Sequence, residues 1–68
     1  MYEVEFASLH RRLPGYPVGE GGRAVLEALD AGRDPETVDL YLLMGELRRL
    51  PEDDDLEVMT DDLTRILF

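Results

Sequence analysis

Sixty-eight residues with a net charge of −9, no cysteine and one histidine leave little room for choice. A chain this short buries only about 60% of its unfolded surface, so its single core is marginal and calls for tight helix packing or burial against another chain. Disulfide scaffolds are excluded, and so is a structural zinc site, for want of thiolate and imidazole ligands.

No apolar run reaches the roughly 18 residues of a membrane span, and MYEVEF lacks the basic start and apolar stretch of a secretion signal. The expected setting is cytoplasmic, with no membrane partner. Charge is unevenly placed. Residues 1–33 hold five acids against four arginines, whereas residues 34–68 hold eleven acids against three. Such a field repels nucleic acid and anionic lipid and attracts basic protein surfaces.

The first segment, residues 2–13, fits two templates. Tyr2, Val4 and Phe6 alternate with Glu3 and Glu5 as in a strand, but Tyr2, Phe6, Leu9 and Leu13 share one helical face. The helical template covers the whole segment and is preferred. Pro14-Gly15-Tyr16-Pro17 makes a turn. Residues 20–31 are helical again, with Val25, Leu26 and Leu29 apolar, Ala24 and Ala28 small, and Gly32 suited to the C′ position.

Residues 35–50 form the most apolar helix and the expected centre of packing. Asp34 is the predicted cap, Pro35 the first-turn residue, and Leu40, Leu43, Met44, Leu47 and Leu50 the inner stripe. Val38, Tyr41 and Leu42 widen the apolar surface well beyond that stripe, so the helix is expected to be enclosed. Gly45 in its middle predicts the close approach of another backbone. With only Arg33 and Asp34 between them, this helix and the preceding one should form an antiparallel hairpin.

The last helix is predicted over residues 54–67, capped by Asp54 with Glu57 as its partner, and with Leu56, Met59, Leu63, Ile66 and Leu67 on one face. The rival is a hairpin turning at Asp61-Asp62, which would pair with YEVEF as an α+β, βααββ domain; Asp-Asp lacks the glycine that tight hairpins prefer. The fold expected is therefore all-α: four helices in a single domain, residues 1–68.

Motifs that carry chemistry fail on inspection. Reading Asp53, Asp55 and Glu57 as a calcium loop puts Val58 at the obligatory glycine and Thr64 at the bidentate glutamate, which excludes an EF-hand. Gly19-Glu20-Gly21-Gly22-Arg23 precedes a helix, but its spacing matches no phosphate loop and Glu20 opposes an anion, so it is predicted to be an ordinary loop. Ser8 and His10, two apart on a helix, do not face each other, and His10, Arg11 and Arg12 are expected to make surface ion pairs. No catalytic, cofactor or metal residue emerges, and the chain is not expected to be an enzyme.

What remains is the acidic C-terminal half. Glu52, Asp53, Asp54, Asp55, Glu57, Asp61 and Asp62 are the candidates for engaging a basic, nucleic-acid-binding protein surface, with spaced carboxylates standing where a nucleic acid carries phosphates. Tyr16, between two prolines, is a candidate aromatic anchor for the same partner. The function expected is that of a non-catalytic protein-binding module, an inhibitor or regulator of the kind encoded by phage and other accessory elements. The alternative is a homo-oligomeric structural or assembly subunit, for which Ile66 and the off-stripe Phe68 are the candidate contacts, as in a homodimer.

Overall fold

A computed structural model describes residues 2–68. Four helices, α1 (Glu3–Arg12), α2 (Glu20–Asp30), α3 (Thr37–Leu47) and α4 (Asp54–Leu67), are joined by a 3₁₀ turn at Leu13–Gly15 and irregular links. There is no strand among the described residues, so the βααββ alternative falls. Tyr2 and Phe6 meet edge to face at 6.4 Å, the contact of residues one helical turn apart.

Each helix packs on two neighbours, in the circular order α1, α2, α3, α4 and back to α1. Leu9, Leu13, Val25, Leu40, Leu43, Met44, Leu47, Leu56, Met59 and Leu63 form the core, each at most 5% exposed. Four of those ten come from α3, more than from any other element. Full burial of such a side chain contributes about 1.5–3 kcal/mol, so α3 supplies the largest share of the apolar driving force.

Yet α3 is not enclosed. Val38 is 61% exposed, Tyr41 48% and Leu42 49%. At about 100° per residue these three and Gly45 lie opposite the buried stripe, so α3 presents one apolar face inward and a second outward. The domain is too small to cover both, which corrects the expectation of an all-round buried rod.

The ends of α3 are also shorter than predicted. Pro35 is buried ahead of the helix, and Glu36, extended at φ −73° and ψ 147°, takes the N-cap position in place of Asp34. The Glu36 carbonyl accepts from the Asp39 and Leu40 amides, each at 3.1 Å. At the other end Arg49 and Leu50 make three-residue turns back to Glu46 and Leu47, which wind down the helix before Pro51.

The α2–α3 link runs over residues 31–36 and starts as expected at Gly32, which adopts φ +73°. The Arg33 amide bonds the Ala28 carbonyl at 2.8 Å and the Gly32 amide that of Leu29 at 3.1 Å, the paired bonds of a glycine-terminated helix. The start of α2 then lies beside the end of α3, so the two are antiparallel.

The close backbone approach predicted at Gly45 occurs elsewhere. A Cβ on Gly45 would meet nothing within 4 Å, whereas one on Gly21 would stand 2.6 Å from the Leu42 Cβ and 2.7 Å from the Leu43 amide nitrogen. Gly45 lies on the outer face, away from α2. A mid-helix glycine costs about 1 kcal/mol relative to alanine, and no contact among the described residues calls for it there.

Candidate protein-binding face

The acids between Glu52 and Asp62 cluster in sequence and separate in space. Asp53, rather than Asp54, is the N-cap of α4: its backbone is extended and its Oδ1 accepts from the Leu56 amide at 2.7 Å. The same carboxylate accepts from the Tyr16 hydroxyl, at 2.7 Å to Oδ1 and 2.8 Å to Oδ2. This hydrogen bond, with burial and the charges of Asp53 and Asp55 adding to it, pushes the Tyr16 hydroxyl up to about 12. Reciprocally, the Tyr16 hydroxyl, then the Leu56 amide, hold the Asp53 carboxyl below its ordinary range.

Tyr16 is thus folded back on the protein: its half-buried ring packs on the core and its polar end ties the first turn region to α4. Asp55 accepts from Arg12 Nε at 3.2 Å, while another guanidinium nitrogen of Arg12 donates to Ser8 Oγ at 2.7 Å. His10 pairs with Asp30 at 2.5 Å. His10 and Arg12 of the basic cluster on α1 therefore pair within the domain, whereas Arg11 enters no ion pair among the described residues.

Asp62 is the plain correction among the candidates. It is 4% exposed, on the flank of the inward stripe of α4 beside Met59. Its Oδ1 lies 3.8 Å from Arg65, and its Oδ2 meets no hydrogen-bond partner among the described residues. A partner cannot reach it on the surface.

Glu52, Asp54, Glu57 and Asp61 are left. All four are exposed and none enters an ion pair among the described residues. Asp54, Glu57 and Asp61, spaced by three and four, lie within about 60° of one another on the outer face of α4. Glu52, Glu57 and Asp61 also rim a groove floored by Leu47, Leu50 and Leu56, where Arg48 is the one cation. This arrangement offers negative potential beside apolar surface. No group of three or more potential ligands is arranged to hold a metal ion among the described residues.

The self-association candidates divide likewise. Ile66 is half-buried against the core, while Phe68 is 83% exposed and stacks edge to face on Tyr41 at 6.0 Å. No helix among the described residues is long and apolar enough to cross a membrane.

Sequence reasoning missed one carboxylate altogether. Glu46, near the end of α3, accepts from the amides of Gly19 at 3.0 Å, Gly21 at 2.9 Å and Gly22 at 2.9 Å, at the open N-terminus of α2. Burial pushes its carboxyl up, but the Gly22, Gly21 and Gly19 amides, with Arg23 nearby, outweigh that and hold it below the ordinary carboxylate range. The glycine segment is therefore an anion cradle, contrary to the expectation of an ordinary loop, and this chain fills it with its own side chain. The signal was present as three glycines around a helix start; the ligand, 24 to 27 residues away, carried none.

Comparison of the chain with protein-family models, with curated proteins and with solved structures finds no match in any of the three.

Proposed function

We propose that the protein is a non-catalytic binding module, an inhibitor or regulator whose α4 surface engages a basic protein. One observation carries this reading. After capping, ion pairing and burial have claimed Asp53, Asp55 and Asp62, the acids Glu52, Asp54, Glu57 and Asp61 stay exposed and without an ion pair among the described residues, three of them lining an apolar groove. Like charges held close on one helix face repel each other, which offsets what Asp54 and Glu57 gain at the positive end of α4, so the set gains most when a cationic surface covers it. The partner expected is a nucleic-acid-binding protein, since its phosphate-contacting arginines and lysines are spaced to meet a row of anions.

The test compares capture of basic partners by three forms of the chain. Reversal of Asp54, Glu57 and Asp61 to lysine should weaken capture at least about tenfold, as should raised salt. Reversal of Glu3, Glu20 and Glu27 changes the net charge equally and should leave capture largely intact. Equal losses in the two variants would reduce the effect to bulk charge and retire the proposed face.

A further inference from the structure

The outward face of α3 is built to meet a copy of itself, and we infer that two chains pair through antiparallel α3 helices about a two-fold axis. This inference does not draw on the acidic face of α4.

Residue order along the face is what points to a second copy. The chain enters α3 through Asp34 and Glu36, presents Val38, Tyr41, Leu42 and Gly45 on the outer face, and leaves through Arg48 and Arg49, all exposed. A two-fold axis through the midpoint of Tyr41 and Leu42 reverses this order on the mate. Val38, 61% exposed, then faces the partner subunit's Gly45, and Tyr41 faces the partner subunit's Leu42. Just beyond the helix, the basic exit of α3, Arg48 and Arg49, then falls at the same end as the acidic entry, Asp34 and Glu36 of the partner subunit.

Three features of the face agree with this register. Gly45 has open space where a Cβ would stand, so a facing valine can sit against bare backbone there. Its apolar middle carries no charge, which makes it a place where two chains of net charge −9 can approach. Asp34, Glu36, Arg48 and Arg49 make no ion pair within the chain among the described residues, so both ends are free to pair across the axis. An isologous interface must be self-complementary in this way: each patch meets its own reverse. Opposed helix dipoles favour the same orientation.

Sedimentation equilibrium tests the pairing. The unaltered chain should form a dimer as concentration rises; a monomer up to about 100 μM, where even a weak homodimer is populated, would overturn the inference. Gly45→Gln, which meets open space in the single chain, should weaken the dimer at least about tenfold while circular dichroism keeps its helical signal. A dimer indifferent to that change is held by some other surface. Arg49→Asp and Asp34→Arg should each weaken association, and together restore it, because the pair is merely exchanged across the axis. Both positions lie outside α3, so the fold survives either change. Failure of the double variant to recover would rule out the antiparallel register.

Discussion

Two helix N-termini in this molecule are treated in opposite ways. At α2, the amides of Gly19, Gly21 and Gly22 receive one carboxylate from a different helix, Glu46, and no side chain of α2 caps its own start. At α4, the cap is local, Asp53; of the further acids in the first turn Asp55 pairs with Arg12, while Asp54 and Glu57 enter no ion pair among the described residues. The same charge type therefore has two roles. Where three amides converge, a carboxylate is part of the fold; where only water faces it, it is available to another molecule.

Breaking the α2 side should cost the most. Gly21→Ala forces a Cβ into the backbone of α3 and is expected to lower stability by about 3 kcal/mol, read from the urea midpoint. Glu46→Ala strips three amides of their acceptor and should cost about 2 kcal/mol, with the first turn of α2 losing hydrogen-exchange protection. Asp53→Ala, at an exposed cap, should cost less than either; a larger loss there than at Glu46 would invert the comparison. Neutralising Asp54, Glu57 and Asp61 as Asn, Gln and Asn should leave stability within about 0.5 kcal/mol, since what Asp54 and Glu57 contribute at the positive end of α4 is offset by their mutual repulsion.

Acidity sharpens the same contrast. The carboxyls of Asp53 and Glu46 are held below their ordinary values of 3.8 and 4.5, so their contribution is present above those values and is lost as pH falls below them. Tyr16 moves the other way: its contribution is whole below 10 and is lost as pH rises toward about 12. Stability should therefore fall at both ends of a pH series, and Tyr16→Phe should remove much of the alkaline fall while leaving the Glu46 part of the acid one.

The sequence carried the helices well where punctuation was local. Residues 54–67 were legible to the residue because Pro51, a run of acids and a clean apolar stripe coincide there, and Gly32 marked its own turn. α3 was legible as a helix but not in its limits or surroundings. Asp34-Pro35 resembles a cap and first turn, yet burial of Pro35 moves the start to Thr37. Its breadth of apolar residues suggested enclosure, whereas its two neighbours, α2 and α4, cannot wrap it and also bury their own stripes. The candidate face was legible as composition only. Which acid caps, which pairs and which is buried depends on Arg12, Tyr16 and the turn of α4, all set by tertiary contact.

The span of these contacts along the chain also orders assembly. Glu46 reaches glycines 24 to 27 positions back, while Tyr16–Asp53 and Arg12–Asp55 bridge 37 and 43 positions. Shorter loops close at lower entropic cost. The α2–α3 hairpin is thus expected to close ahead of the contacts that tie the first and last helices together, a small entropic preference that mutational folding kinetics would read.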